Sequence, residues 1–186
     1  MPQPSPTQPQ QKQGGQQQQG RGNRRRQQSR YGIGLQEKQD LKKIFGLREE
    51  QLRRYYQRAL KFKGQTGPTL ISMLERRLDN AIFRAGFAQT RPQARQMTTH
   101  RLFAVNGKPV DVPSYSLSEG DVVSVREGKR AKSYFSSFEK RMQNANTPSW
   151  ILLNPQEFSF KVTTMPSYEE ANVGVDVRAV VEFFAR

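Results

Sequence analysis

The spacing of apolar residues changes near the middle of the chain. Three- and four-residue steps come first and predict one helix, ended by Gly86, with the apolar face Leu70, Leu74, Leu78, Ala81, Ile82 and Ala85. Thr90, with Pro92 in the turn that follows, predicts the start of a second helix. The apolar residues then fall in short β-branched runs, which predict strands at Phe103–Val105, Val110–Val112 and Val122–Val125. Asn106-Gly107 between the first two runs predicts a tight hairpin.

Further elements are predicted on both sides of this stretch. Upstream lie two helices, Glu37–Phe45 and Arg48–Lys63, with Gly46 ending the first. Downstream the pattern predicts a connecting helix over Gly128–Gln143, then strands at Ser149–Leu153 and Phe158–Val162 that extend the sheet, and a final helix capped by Asp176. The fold class is therefore α+β, with a helical amino-terminal unit, two short helices and a small, mostly antiparallel sheet.

The first thirty residues differ from the rest in composition. Met1–Arg30 holds eleven Gln, four Pro and almost no apolar side chain, so it is expected to be disordered when free. Its basic residues Arg24, Arg25 and Arg26 are compatible with two interpretations: the segment is a solvated tail, or it is an arm that folds onto RNA phosphates. The expected organisation is a tail (1–30), a helical unit (31–73), a central module (74–140) and a carboxyl segment (141–186) that completes the α+β domain.

Charge and residue usage narrow the class of partner. Thirty-one Lys and Arg against sixteen Asp and Glu give a net charge of +15, which favours a polyanionic partner. No apolar run is long enough for a membrane span, and no short apolar segment behind the first residues suggests a signal peptide. The chain has no Cys and one His, so no cofactor, metal site or disulfide is expected. We expect a cytoplasmic protein without a membrane partner.

The basic residues are concentrated where acidic ones are missing. No Asp or Glu occurs from Gln51 to Leu74 or from Phe83 to Val110. A basic face without salt-bridge partners is typical of contact with a nucleic-acid backbone. Besides Arg24, Arg25 and Arg26, the candidate RNA contacts are Arg53, Arg54, Arg58, Arg76, Arg77, Arg84, Arg91, Arg95, Gln96, Arg101, Asn106 and Lys108. Arg76, Arg77 and Arg84 are expected to lie off the apolar helix face, toward solvent or a partner.

Several of these residue types are more common in structural roles than in functional ones. Tyr55 and Tyr56 at helical spacing are more often core than base-stacking platforms. Asp79 and Asp121 fit helix pairing and turn capping better than catalysis, and His100 fits a helix cap or phosphate contact better than a general base. No phosphate-binding loop, nucleophile elbow or paired-carboxylate motif occurs, so neither an enzyme nor a small-molecule substrate is expected.

Five stretches of the sequence carry a family resemblance. RLDNAIFRAGFAQTRPQARQ, with VNGKPVDVPSY and GDVVSV after it, resembles the RNA-binding module first described in small-subunit ribosomal protein S4. RNA-modifying enzymes and a tRNA synthetase also carry that module, but the flanking YGIGLQEKQDLKKIFGLREEQLRRYY and VDVRAVVEFFAR resemble the ribosomal protein family itself. The resemblance covers residues 17–186. The folded amino-terminal segment usual in the family, sometimes zinc-bound through four cysteines, is expected to be missing here, and the sequence begins with the Gln- and Pro-rich tail.

The resemblance implies a function. A member of this family is expected to bind the five-way junction in the 5′ domain of 16S rRNA, to nucleate small-subunit assembly and to lie near the channel through which mRNA enters. It is also expected to contact ribosomal protein S5 and so to influence decoding accuracy. The alternative is a free-standing RNA-binding regulator that uses the same module.

The carboxyl end differs from the rest in charge and hydropathy. Residues 166–186 hold four carboxylates against two arginines, a net charge of −2, beside the apolar Val180, Val181, Phe183 and Phe184. Such a surface suits a protein better than RNA. Glu169, Glu170 and Asp176 are the candidate interface residues, and the resemblance implies ribosomal protein S5 as the partner.

Overall fold

The structure is a computed structural model that describes residues 29–131, 135, 138 and 147–186. Within these residues it has seven α-helices and five strands, which confirms the α+β class. The helices are α1 (Arg30–Phe45), α2 (Glu49–Ala59), α3 (Thr66–Glu75), α4 (Leu78–Arg84), α5 (Arg91–Thr99), α6 (Tyr168–Ala171) and α7 (Val177–Phe184). The predicted amino-terminal tail, with Arg24, Arg25 and Arg26, lies outside the described residues up to Gln28.

The strands form one antiparallel sheet. They are β1 (Phe103–Val105), β2 (Lys108–Pro109), β3 (Val122–Val125), β4 (Ile151–Asn154) and β5 (Ser159–Val162), in the spatial order β2-β1-β3-β5-β4. β5 pairs with both β3 and β4, so the two downstream strands extend the sheet as predicted.

The hairpin after β1 begins as the sequence predicts and ends sooner. Asn106 and Gly107 both have positive φ, 50° and 78°, as a two-residue turn of this kind requires. Val105 therefore pairs with Lys108, and the returning strand is Lys108–Pro109, so the prediction of a strand at Val110–Val112 is wrong. Proline cannot donate to a ladder, and the prolines at 109 and 113 restrict how far this edge can pair.

Local end signals place one end of three helices correctly, although α1 begins at Arg30 rather than at the predicted Glu37, and α2 ends at Ala59 rather than at Lys63. Gly46, at φ 58°, adopts the left-handed conformation that ends α1. The Thr90 side chain accepts from the backbone N–H of Gln93 and caps α5. Asp176 caps α7 by accepting from the N–H groups of Arg178 and Ala179. A 3-10 turn at Glu127–Lys129 lies at the start of the predicted connecting helix Gly128–Gln143, of which residues 132–134, 136–137 and 139–143 lie outside the described part.

The helix predicted through residues 70–85 is broken. Arg77 is extended (φ −65°, ψ 139°), so α3 ends at Glu75 and α4 starts at Leu78. The segment 113–117 fills the break with backbone hydrogen bonds. The Arg76 carbonyl accepts from Leu117 N–H at 2.9 Å, and Leu78 N–H donates to the Tyr115 carbonyl at 2.8 Å. These bonds replace the helical bonds that the break removes, which is why the apolar periodicity continues across a non-helical residue.

Two hydrophobic cores lie on either side of this break. The sheet core packs α4, α5 and the five-stranded sheet around Leu78, Phe87, Phe103, Trp150 and Phe160. The helical core packs α1, α2 and α3 around Leu41, Leu52, Leu70, Ile71 and Leu74. The sequence groups residues 141–186 with the sheet. Of the described residues in that range, Trp150 and the strands β4 and β5 lie there, whereas Ala171, Val177 and Val180 of α6 and α7 are buried in the helical core.

Helix α7 approaches α1 closely at a glycine. A Cβ on Gly34 would lie 3.0 Å from the Ala179 carbonyl oxygen and 3.2 Å from Phe183 Cβ. The Phe183 ring lies 5.2 Å from the Tyr31 ring, and the buried Lys38 ammonium lies 4.6 Å from its centre. The carboxyl-terminal helix is thus docked along α1 by close backbone contact and aromatic packing.

Glu49 neutralises the buried charge of Lys38. The Lys38 Nζ donates to Glu49 Oε1 at 2.6 Å, and Lys42 donates to the other carboxylate oxygen at 3.0 Å. Burial works against the ionised form, but the hydrogen bonds from the two lysines outweigh it and lower the pKa of Glu49.

Replacing Gly34 tests this packing. Gly32 lies in the first turn of α1, and a Cβ there would meet only Ser29 Oγ at 3.5 Å, so Gly32→Ala should raise the free energy of unfolding by at most the ~0.8–1.0 kcal/mol that separates alanine from glycine in a helix interior. Gly34→Ala should be less stable than Gly32→Ala by about 1 kcal/mol or more, because overpacking a tight contact costs about 1–3 kcal/mol. Urea unfolding of both variants measures the difference, and equal stabilities would contradict the close approach of α7.

Candidate nucleic-acid interface

A buried carboxylate, Asp79, lies at the start of α4. Only 4% of the residue is exposed. Arg77 donates to it from Nε at 3.0 Å and from Nη2 at 2.8 Å, and Arg95 donates from the same two atoms at the same distances. The backbone N–H of Asn80 also donates, at 2.9 Å. Asp79 is therefore neutralised by two guanidinium groups, as a buried charge must be.

A second buried carboxylate, Glu75, lies at the end of α3. Its exposed fraction is 1%. Arg84 donates to its two oxygens, each at 2.8 Å, and the Asn80 amide donates to it at 2.9 Å. Asn80 stands between the two carboxylates and accepts from Nε of Arg91 at 2.8 Å. We call this cluster the arginine network: Arg77, Arg84, Arg91 and Arg95 around Glu75, Asp79 and Asn80.

The arginine network joins the two cores. Arg95 of α5 donates from Nη1 to the Gly46 carbonyl at 2.6 Å and from Nη2 to the Phe45 carbonyl at 3.1 Å, both at the end of α1. Arg77 donates from Nη1 to the Tyr55 hydroxyl of α2 at 2.9 Å. Arg84 donates to the Ala171 carbonyl at the end of α6. Three arginines thus tie α4 and α5 to helices of the helical core.

Arg91 differs from the other three. Its guanidinium carbon lies 4.5 Å from the centre of the Phe83 ring and 5.1 Å from that of Phe45. Among the described residues, its side chain bonds only to the Asn80 amide oxygen and forms no ion pair. Burial lowers the pKa of Arg91, because the protein around the guanidinium stabilises its charge less than water would. The group is held rigidly, with its terminal nitrogens free to receive an anion.

The prediction that Arg77 faces solvent is wrong, because the residue is 3% exposed. Burial opposes its charge, but hydrogen bonding to Asp79 outweighs burial and raises the pKa of Arg77. Arg84 and Arg76 are half-buried, and Arg76 Nε donates to the Leu117 carbonyl at 2.7 Å. Two carboxylates inside an apolar helical run, Glu75 and Asp79, were the available signal for this burial. The sequence favours a pairing role for Asp79, and in the structure this pairing is buried inside the protein.

The outer face of α2 is exposed and basic. Arg53, Arg54 and Arg58 are all exposed, and Arg54 is loosely paired with Glu50 at 3.8 Å. Lys61 and Lys63 continue the basic sequence past the end of the helix and are exposed too. These side chains are available to a partner, as the sequence predicts.

The remaining predicted RNA contacts lie on the part of the chain that forms the sheet core (α4, α5 and the sheet), which we call the sheet module. Gln96 and Lys108 are exposed. Arg101 is exposed but paired with Asp111 at 2.7 Å, a bond that lowers the pKa of that carboxyl. The Asn106 side chain is occupied within the hairpin, donating to Asp121 and accepting from Val122 N–H, each at 2.9 Å. Gln96 and Lys108 are therefore the freer of these four.

The three predicted protein-interface residues are all exposed, with different local roles. Glu170 accepts a hydrogen bond from Ser149 Oγ, and Asp176 caps α7 while its own N–H donates to Glu37. The side chain of Glu169 has no hydrogen bond or ion pair within the described part of the chain.

A membrane-spanning helix would need a long apolar stretch, and none of the helices in the described residues has one.

Comparison with known proteins identifies relatives over most of the chain. The family profile described as S4 domain matches residues 76–123, and that of the ribosomal protein S4/S9 N-terminal domain matches residues 7–75. The chain is 44% identical over 165 residues to the small ribosomal subunit protein uS4 of Herpetosiphon aurantiacus, covering 88% of this chain and 78% of that protein. The uS4 of Roseiflexus castenholzii is 42% identical over 88% of this chain and 80% of its own length.

Replacing Asp79 tests whether the arginine network holds the fold. Asp79→Asn keeps the shape but removes the charge, which leaves the buried Arg77 without a carboxylate. Removing one member of a buried pair costs about 3–5 kcal/mol, so a loss of that size in the free energy of unfolding is expected. Asp111→Asn is the matched control, because it breaks the exposed pair with Arg101 and should leave urea unfolding nearly unchanged. Similar behaviour of the two variants would show that the network carries little stability.

Proposed function

The chain belongs to the uS4 family of small ribosomal subunit proteins, and from that membership we propose a specific site of action on the ribosome. It is a structural, RNA-binding constituent of the small subunit rather than an enzyme. We propose that it binds the five-way junction in the 5′ domain of 16S rRNA and nucleates subunit assembly in the cytoplasm. The observation that carries this proposal is that α2 presents three exposed arginines, of which Arg54 alone is loosely paired, while the terminal nitrogens of Arg91 form no bond in the described part of the chain.

The proposal rests on how charge is distributed between inside and outside. Glu75 and Asp79, the two carboxylates of the arginine network, are buried and form ion pairs with Arg77, Arg84 and Arg95. They therefore do not repel a phosphate at the surface as exposed carboxylates would. RNA helices are recognised by shape and by phosphate and sugar contacts, because their major groove is too narrow for side chains. Rigid guanidinium groups suit that mode, since they bind phosphate oxygens through two parallel hydrogen bonds.

Among the residues predicted from sequence, the structure supports unequal roles. Arg53, Arg54, Arg58, Gln96 and Lys108 are exposed and suit direct RNA contact. Arg91 suits a phosphate contact from a fixed position. Arg77, Arg84 and Arg95 suit a supporting role, because their donors already bind carboxylates and carbonyls. We further propose that part of the basic surface lies near the channel through which mRNA enters.

We also propose that the acidic carboxyl end contacts ribosomal protein S5. Glu169 and Asp176 line a depression of about 330 Å³ that also includes Val173 and Val175, and Glu170, the next residue after Glu169, is exposed too. A rim of carboxylates around partly apolar side chains suits a basic protein rather than RNA. A change of this contact would then alter decoding accuracy.

Sedimentation tests the ribosomal role against the free-standing regulator. A ribosomal constituent should travel quantitatively with the small subunit in about 0.5 M salt, where weak phosphate-only binders dissociate. A protein found mainly at the top of the gradient would favour the regulator.

Replacing Arg91 tests the phosphate fork. Arg91→Gln should keep the fold, because glutamine can still donate to Asn80, but should weaken binding to a 5′-domain fragment of 16S rRNA. One lost phosphate contact lowers the log–log slope of affinity against salt by about 0.7–0.9. Arg178→Gln, an exposed arginine on α7, is the matched control and should leave both values unchanged. Filter binding across salt concentrations measures the slope, and a slope equal to that of the unaltered protein would remove Arg91 from the contact.

Replacing Glu169 tests the protein interface. Glu169→Lys reverses a charge that makes no internal bond in the described part, so the fold and the rRNA affinity should be preserved. Binding to purified ribosomal protein S5 should weaken, and misreading in a dual-luciferase reporter should rise. Glu119→Lys, an exposed residue of the sheet module, is the control for charge reversal elsewhere. Weakened rRNA binding with unchanged S5 binding would assign this surface to RNA instead.

A further inference from the structure

A continuous groove runs between α2, α3 and the segments 113–117 and 166–168. Three adjoining depressions of about 140, 280 and 370 Å³ form it. Tyr55, Arg58 and Ser114 line both the first and the second, and Phe62, Met73 and Arg76 line both the second and the third. We call it the α2–α3 groove.

The walls of the groove combine positive charge with aromatic rings. Arg54, Arg58, Lys61 and Arg76 line it, and none of the described residues that line it is Asp or Glu. The aromatic side chains are Tyr55, Phe62 and Tyr168. No single residue of this set requires a ligand, but cations and rings along one channel are the two components of a single-strand binding site.

Exposure and positioning of the rings point to the same ligand. Phe62 is 60% exposed and Tyr168 is 41% exposed, although burying either ring would be favourable. Tyr55 is fixed in place, because its hydroxyl accepts from Arg77 Nη1 at 2.9 Å and the Arg58 guanidinium lies 5.9 Å from its ring centre. Arg76 is held by its bond to the Leu117 carbonyl. One end of the groove is thus rigid and the other presents open apolar faces.

We propose that the α2–α3 groove binds an unpaired stretch of ribosomal RNA, with bases stacked on Phe62 and Tyr168 and phosphates held by Arg58, Lys61 and Arg76. This inference rests on the proposed function and adds a second mode of recognition to it. A duplex cannot use these rings, because its bases are already stacked on one another, whereas unstacked bases in loops and junctions expose their faces. An acidic peptide would satisfy the cations but not the open rings.

The test uses the full chain and fluorescence anisotropy with a labelled, unstructured 12-nucleotide oligoadenylate. Base–aromatic stacking is worth about 1–3 kcal/mol per base, so Phe62→Leu should weaken binding of this strand about five-fold or more. Leucine keeps an apolar side chain of similar reach, and the residue is exposed, so folding should be unaffected. Leu60→Ala is the matched control, because Leu60 is 54% exposed two positions away and does not line the groove.

Parallel arms separate this inference from the proposed function. Binding of the folded 5′-domain fragment is measured with the same proteins. Two results would overturn the groove inference while the rRNA-binding function stands. In the first, the fragment binds and the single strand does not. In the second, the fragment binds, and the single strand binds Phe62→Leu and the unaltered protein equally. If neither RNA binds, both are overturned. Equal competition by polyglutamate and by oligoadenylate would reduce the groove to an electrostatic surface.

The final arm identifies the source of the strand. A saturating amount of the 5′-domain fragment should displace the labelled oligoadenylate, because the ribosomal RNA supplies its own unpaired stretch to the groove. Retention of the oligoadenylate on the protein–fragment complex would overturn the assignment to this RNA and would favour a different single strand, such as a messenger RNA.

Discussion

Two carboxylates buried at the break between α3 and α4 constrain the rest of the molecule. Glu75 and Asp79 are almost inaccessible to water, and an ionised carboxylate in that position requires cations at hydrogen-bond distance. Arg84 satisfies the first, and Arg77 and Arg95 satisfy the second. Because these arginines come from three different segments, the requirement fixes how α4 and α5 sit against the helical core. The positions of the guanidinium groups follow from charge neutralisation inside the protein before any RNA is present.

This arrangement separates arginines that support from arginines that bind. A guanidinium that already donates to a carboxylate and to a backbone carbonyl has few N–H groups free for a phosphate, as with Arg95. Arg91 takes its position from Asn80 and two aromatic rings, which orient it without cancelling its charge. The arginines of α2 are exposed, with Arg54 loosely paired to Glu50 and Arg58 lying over the Tyr55 ring. The positioned guanidinium of Arg91 and the exposed charges of α2 would contribute differently to RNA binding, the first to geometry and the second to long-range attraction.

Local signals in the sequence predict most of the elements and few of their relations. The turn at Asn106-Gly107, the cap at Thr90 and the helix end at Gly46 depend on neighbouring residues only, so the sequence places them correctly. The break at Arg77 depends on hydrogen bonds from the distant segment 113–117, which no local periodicity reveals. The docking of α7 on α1 likewise depends on Gly34, far away in the chain. For the candidate site, residue type predicts a basic surface but not which arginines are already paired.

Gly46 shows how a local signal acquires a tertiary role. Its left-handed conformation ends α1 and leaves the carbonyls of Phe45 and Gly46 directed at Arg95, which donates to both. A Cβ at this position would lie 3.2 Å from Arg95 Nη1, in addition to the strain of positive φ. The glycine is therefore required once by the helix end and again by the guanidinium that approaches it. Since the same guanidinium binds Asp79, the end of α1, the buried carboxylate and the sheet module form one connected unit, which supports the surface proposed to bind RNA.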